Sequence, residues 1–537
     1  MPRPLYLTGW IHSRKHGRAR GGKLTHSSAK QRKMEERIMK KRIFALVLAL
    51  LLLFTAVGCS ESTENAETTS ASGENPAAGL AENAEGASEE DDLASRLDEK
   101  DDLPEADFGG RDFIVLGSAQ EGFGIYIAVD EMNGEGVNDA VYQRNLTVEE
   151  RFNAKTVYDS GADYGTVAGL IAKAIKAGDS DSYDLIQYHV VSSAGGAMKG
   201  YYLNWYDIPH VDFTRNWWSD SNIEDLTIAD KCFIAMGDFA LSTVGRSYVM
   251  LYDKVEAANY QLDSFYTLVK EGRWTVDALR SICDQVYTDK NGDGVENVGD
   301  YYGMGTDLYS NLNTYYWSTG NQIFSRGDSG ELEFHYYSEH LVDSYNKCWE
   351  LLNQTAGIFK KGEHRAGVQL FSEYGCLLCN SYLDGTIIYL ADFDHDYGVI
   401  PYPKYDENQE KYRTMVDGNH EAMSVLITEP DLEFIGIMTE VLCAESYKSV
   451  MPAYFNVCLK TRYASSPEDA EMMDLCVNAR VFDLGYVYDN WSGASFWFQD
   501  MLADASHPDM TSFYTKREKM VKKYYEKVVK LFTEDTE

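Results

Sequence analysis

The spacing of apolar and polar positions changes several times along the chain, and each change marks an element. The basic cluster Lys40-Lys41-Arg42 precedes an uncharged apolar run from Ile43 to Val57. That run is shorter than the ~20 apolar residues of a membrane-spanning helix and fits the hydrophobic region of a secretory signal. Further on, Arg111-Asp-Phe-Ile-Val-Leu-Gly117 is short, β-rich and closed by glycine, which predicts a buried strand. Asn138 or Asp139 can cap a helix that carries Val141, Val148 and Phe152 on one face. An amphipathic stretch around Leu170 to Ala177 follows, then a strand at Tyr183 to Tyr188. Strand, helix, helix, strand is the order of a doubly wound α/β lobe.

The same alternation continues. Cys232 to Met236 and Arg246 to Tyr252 are predicted strands. Thr275 caps a helix with Val276, Leu279, Ile282 and Val286 on one side, and the polar loop Asp289 to Asp300 ends it. A strand at Gly398 to Pro403 leaves through prolines, and a helix from about Leu432 to Tyr447 turns Ile435, Met438 and Leu442 inward. No internal repeat is visible. About 430 residues lie beyond Asp107, more than one hydrophobic core usually supports, so two lobes are expected.

The start of the chain is expected to be processed. The apolar run ends in Ala56-Val57-Gly58-Cys59, which resembles the bacterial lipobox, so Cys59 is expected to carry lipid and to begin the mature protein. Residues 1–38 are basic and without periodicity, and Met39, or Met34, is read as the true start, which makes 39–58 the signal peptide. Residues 59–107 are rich in Glu, Ala, Ser, Thr and Asp, a composition that predicts a disordered acidic tether.

Charge removes one class of partner. The chain carries 49 basic and 85 acidic residues. Without the 13 basic and two acidic residues of 1–58, it keeps 36 basic and 83 acidic ones, a formal net charge of −47. Such a surface repels polyphosphate and argues against nucleic-acid binding. The eight cysteines after Cys59 are scattered, apart from Cys376-Leu-Leu-Cys379, and are read as buried free thiols, because neither a redox nor a zinc context surrounds them. The 38 tyrosines, with the tryptophans, cluster beside Gly, Asn and Asp. Flat rings next to short polar groups suit a sugar-binding cleft.

Six segments carry a resemblance to a known family. They are Asp107-Phe-Gly-Gly-Arg-Asp-Phe-Ile-Val-Leu116, Gly136-Val-Asn-Asp-Ala-Val-Tyr-Gln-Arg-Asn145, Trp217-Trp218, Val269-Lys-Glu-Gly-Arg-Trp-Thr275, Tyr397-Gly-Val-Ile-Pro-Tyr-Pro-Lys404 and Ala444-Glu-Ser-Tyr-Lys448. From Asp107 onward the chain resembles bacterial extracellular solute-binding proteins of family 1, the lipoproteins that serve ABC importers, in their clostridial form. The resemblance implies a type II periplasmic-binding-protein-like fold: two doubly wound α/β lobes joined by a hinge, with crossings near Val249, Tyr397 and Pro452. Lobe 1 would span 108–249 plus 398–451, and lobe 2 would span 250–397 plus 452–537. It further implies a monomer that traps a mono- or oligosaccharide and passes it to ABC permease subunits while lipid on Cys59 holds it at the extracellular face of the membrane.

By analogy with maltose-type members, Tyr188 and His189 should face the cleft and Tyr382 should stack on the ligand. Tyr316 and Trp317 with Asn321 and Gln322, Asp417 with Asn419, and Trp491 with Trp497 are further candidates; Trp217 and Trp218 either line the cleft or plug the first lobe. The loop Asp289, Asn291, Asp293, Gly294, Val295, Asn297, Asp300 follows the calcium-loop pattern at positions one, three, five, six, seven, nine and twelve, with Asp in place of the usual Glu at the last. A structural calcium ion is therefore expected, and no other cofactor. A non-sugar solute such as a peptide remains open as the ligand, as does a surface polysaccharide hydrolase, although no nucleophile or metalloprotease motif is present.

Overall fold

The computed structural model describes residues 95–534 except 121, 219, 328–330, 391, 461–466 and 490–492. Cys59, the signal peptide and Trp491 lie outside the described residues. All described residues fall within one compact unit, Glu85–Glu537.

The chain begins with β1 (Arg111–Ser118), β2 (Ala154–Gly161) and β3 (Leu185–His189), each followed by helix or loop. β1 lies between the other two and is parallel to both, with Arg111 opposite Ala154 and Val115 opposite Leu185. It then passes to β4 (Tyr248–Asp253), β5 (Tyr302–Asp307), β6 (Ile358–Lys361), β7 (Cys376–Tyr382) and β8 (Tyr397–Ile400), which form a second sheet in the order β8-β4-β7-β5-β6. Here β5 is parallel to β6 and β7, and β4 is antiparallel to β7 and β8. The short β9 (Thr414–Met415) leads back to β10 (Glu421–Ser424), which completes the first sheet antiparallel to β3. A last short strand, β11 (Arg480–Val481), pairs with β9.

This pairing shifts the expected lobe boundaries. Tyr248 is already in the second sheet, so the first crossing falls at Arg246–Ser247 and not at Val249. β8 pairs with β4, and Lys404 bonds to Trp274, so 398–413 belong to lobe 2. The return to lobe 1 comes at 414–417, where Val416 bridges Ser247 and the Asp417 N–H donates to the Arg246 carbonyl. The helix Met451–Lys460 still packs on the lobe 1 helix Gly136–Phe152, while Pro467–Asn478 packs on β8. The last crossing therefore lies beyond Lys460, not at Pro452. Apolar runs mark strands well, but which sheet a strand joins is set by its partners.

Several local predictions meet the same distinction. Thr275 caps its helix, accepting from the Ala278 N–H at 3.2 Å, and Val276, Leu279 and Val286 are buried. The first helix instead starts at Gly136, and Asp139 accepts from the Asn133 and Gly134 N–H groups of the preceding turn. Cys232–Met236 forms no strand; it makes one bridge, Ala235 to Met423. The end of the expected tether is docked: Asp101 pairs with Arg151 at 2.5 Å, Asp102 pairs with Arg215, and Leu103 packs on the first-lobe core. The seven described cysteines are free and buried, and burial pushes the Cys232 thiol up to about 12. Among the described residues no helix is long and apolar enough to cross a membrane.

Candidate ligand-binding site

The polypeptide crosses between the lobes beside a cavity of about 520 Å³, and both lobes contribute to its wall. Gln120, just past the end of β1, and Asp417 and Asn419, on the return to β10, come from lobe 1. Asp307 at the end of β5, Asn380 and Tyr382 on β7, and the segments 309–311 and 364–365 come from lobe 2. Ligands in open α/β sheets sit beyond the carboxyl ends of strands, where chain connections diverge; Gln120 and Asp307 mark two such ends.

The crossing itself supplies a cation. The Arg246 guanidinium lies between the rings of Phe123 and Tyr382, at 4.8 and 4.7 Å, and its Nε is 3.3 Å from Asp384 Oδ2. A side chain at Gly245 would meet Tyr454 Oη at 2.7 Å and Asp384 Oδ2 at 3.0 Å, so the close approach requires glycine there. One residue past the crossing pair, Tyr248 donates its hydroxyl to Asp417 Oδ2 at 2.5 Å, tying the second sheet to the return segment. Asp417 Oδ1 accepts from the Asn419 N–H at 2.9 Å, and Asn419 Oδ1 accepts from the Tyr164 hydroxyl at 2.9 Å.

On the facing wall, Asp307 accepts from the Tyr309 N–H at 3.2 Å and the Arg365 N–H at 2.8 Å, and burial raises its pKa. The Tyr309 and His364 rings stack at 3.6 Å and 10°. The Arg365 guanidinium sits 5.1 Å from the Tyr389 ring, whose hydroxyl is 3.3 Å from that of Tyr382. Asn380 is buried with neither amide atom in a hydrogen bond of good geometry, an arrangement that leaves donor and acceptor capacity at the cavity wall.

Of the candidates named from sequence, Tyr382, Asp417 and Asn419 line this cavity. His189 stands one layer behind, its ring 4.2 Å from Tyr164; its Nδ1 accepts from the Ser192 N–H, and burial lowers its pKa to about 4. Tyr188 is in the first-lobe core, because the residue facing the cleft side of the strand end is set by the pairing of β3 with β10. Trp217 and Trp218 are buried and donate to the two oxygens of Glu440 at 2.8 and 2.9 Å, so they plug lobe 1. Trp317 is buried with its Nε1 donating to Asp483 at 3.0 Å. Trp497 packs between Phe513 and Tyr514. Tyr316 and Asn321, with Gln322, line a separate cavity of about 270 Å³.

Sequence reasoning missed Gln120, Arg246, Asp307, Tyr309, Asn311, His364, Arg365, Asn380 and Tyr389. The strand-end rule could have flagged Asp307 if Tyr302–Asp307 had been read as a strand. Nothing local marks Arg365.

The 289–300 loop is a turn closed by its own side chains. Asp289 accepts from the Gly292 and Gly294 N–H groups at 2.6 and 2.8 Å, Asn291 from Asp293, and Asp293 from Val295. Gly294 has φ +72°, which glycine adopts freely. Asp300 is buried; its Oδ2 accepts from the Asn297 N–H and the Tyr287 hydroxyl, and its Oδ1 has no partner. Among the described residues no three His, Cys, Asp or Glu side chains group to hold a metal ion. Two of the oxygens that the calcium pattern would use are bonded within the loop, since Asn297 Nδ2 donates to Asp293 Oδ2 and to the Val295 carbonyl, both at 2.8 Å.

The sequence matches no protein-family model and no curated protein. Solved structures do resemble this one. UspC of Mycobacterium tuberculosis is 13% identical with a TM-score of 0.53, covering 77% of this chain and 100% of its own. An ABC substrate-binding protein of Listeria monocytogenes in complex with cycloalternan is 11% identical, TM-score 0.50, over 77% of this chain and 98% of its own. The maltose/maltodextrin-binding domain MalE of Bdellovibrio bacteriovorus, bound to maltotriose, is 12% identical, TM-score 0.50, over 77% and 100%. With two α/β sheets, antiparallel crossing strands and a cavity between the lobes, the chain has the two-lobed type II fold of periplasmic solute-binding proteins.

Proposed function

We propose that this protein captures a carbohydrate between its lobes and delivers it to an ABC import permease, as a lipoprotein held through Cys59 on the outer face of the cell membrane. The observation that carries the reading is the interlobe cavity of about 520 Å³, within the size range of small-ligand sites, walled by aromatic rings and amide side chains. Tyr382 and Tyr389 offer flat faces to the C–H side of a pyranose, while Asn311, Asn380 and Asn419 offer short donors and acceptors to its hydroxyls. The fold neighbours in complex with cycloalternan and maltotriose support the same ligand class.

Binding and lobe closure are linked in this reading. A ligand touching both walls favours the closed form by the difference in its affinity for the two forms. The Tyr248 to Asp417 bond lies at the point where the lobes are joined and would report that motion. Calcium in the 289–300 loop would serve structure alone, since the loop contributes nothing to the cavity wall.

A thermal-shift screen of mono- and oligosaccharides, with peptides as controls, tests the proposal. A rise in midpoint with at least one sugar is expected. A rise with peptides and none with any sugar refutes the carbohydrate reading.

A further inference from the structure

The charged groups of the interlobe cavity are not equally committed. Asp307 has one oxygen on the Tyr309 N–H and the other on the Arg365 N–H. Asp417 has one on the Asn419 N–H and the other on the Tyr248 hydroxyl. Arg246 is paired with Asp384. These three side chains hold the walls in place.

Arg365 differs. Its side chain is exposed at the cavity, its guanidinium lies over Tyr389, and no carboxylate reaches ion-pair distance of it among the described residues. Its backbone has φ +69°, a left-handed conformation that L side chains adopt at a cost and that glycine adopts freely. The bond from its N–H to Asp307 holds that conformation. A costly backbone geometry kept by a large cationic side chain, at the wall of a binding cavity, is the pattern of strain retained at a functional site. His364, stacked on Tyr309, places a second nitrogen-bearing group beside it.

We infer that the captured sugar carries a carboxylate, as a hexuronic acid does, and that Arg365 receives it. The inference rests on the carbohydrate reading of this cavity. A planar guanidinium presents paired N–H donors that match a carboxylate in two parallel bonds. The pyranose ring would lie on Tyr389 and Tyr382, and its exocyclic carboxylate would extend toward Arg365. The chain's acidic surface repels anions in general, so an acidic ligand needs such a local cation.

Isothermal titration of the purified protein tests this. The probes are disaccharides containing glucuronate or galacturonate, their carboxyl-reduced neutral counterparts, and the matching sugar phosphates. A uronate is expected to bind at least tenfold more tightly than its neutral counterpart. Arg365→Gln should abolish that preference, lowering uronate affinity by at least tenfold more than it lowers neutral-sugar affinity. Arg365→Gly should do the same without lowering the thermal midpoint, because glycine accepts the left-handed backbone; a residue present only for structure would lower it. Equal or tighter binding of the neutral sugars overturns the inference and leaves the carbohydrate reading standing. Preference for sugar phosphates over uronates overturns the carboxylate assignment. No binding by any sugar removes the carbohydrate reading itself, and the inference with it.

Discussion

Replacing Glu421 with Gln removes a buried titratable group while changing the side chain's shape little. Glu421 begins β10, is 2% exposed, and has only long contacts at its carboxylate: Gln187 Nε2 at 3.4 Å and Ser242 Oγ at 3.5 Å. Bonds that long compensate poorly for lost hydration. Burial accordingly raises its pKa from 4.5 to about 8, against smaller lowering contributions from Gln187, Ser242 and Arg246. The folded protein then holds a proton that the unfolded chain releases above 4.5. This contribution to stability is fully present below 4.5, declines as pH rises, and is gone above about 8. At ~1.36 kcal/mol per pKa unit, ionisation of the unfolded chain lowers wild-type stability by ~3 kcal/mol by pH 7, and the loss levels off at roughly 5 kcal/mol above pH 8, as upper values. Glu421→Gln carries no such cost. Urea denaturation of both proteins at pH 4, 7 and 8.5, followed by circular dichroism, should show similar stabilities at pH 4 and a growing advantage for the variant at higher pH. Other groups titrate equally in both proteins and cancel in the difference. A difference that does not change with pH would refute the reasoning, as would a variant weaker than wild type at pH 8.5.

Four other outcomes follow from particular contacts. Gly436→Ala would set a Cβ 1.8 Å from the Pro209 carbonyl oxygen, so a loss of ~1–3 kcal/mol or more is expected in the same denaturation assay. Tyr382→Ala removes a cavity-wall ring that also covers Arg246 and should weaken sugar binding at least tenfold by titration calorimetry. EGTA should lower the thermal midpoint if the 289–300 loop takes up calcium, and an unchanged midpoint counts against the ion. Cys59→Ser should move the expressed protein from the membrane fraction to the medium, and retention in the membrane fraction would count against lipid at that residue.

Reading the fold from sequence worked where structure depends on near neighbours. The apolar run at Arg111–Gly117 is β1 almost to the residue, and Thr275 caps the helix it was expected to cap. Side-chain period and capping act over a few residues, so a short window contains the whole cause. Chain length pointed to two lobes, and of the residues named as ligand candidates Tyr382, Asp417 and Asn419 line the interlobe cavity.

Only the tertiary structure decided which polar groups meet. Trp217 and Trp218 are plugs because Glu440, more than 220 residues later, supplies both acceptors. Asp307 and Arg365 are 58 residues apart and join only where parallel β5 and β6 end together. Tyr248 and Asp417 meet because two crossing segments run side by side, which also moved the return to lobe 1 from 398 to about 414–417. By itself the sequence determined the local elements, the strongly acidic charge and the aromatic richness of the chain. Strand pairing, which depends on residues distant in sequence, determined the cavity, because hydrogen bonding and packing between elements act across space and leave no periodic trace along the chain.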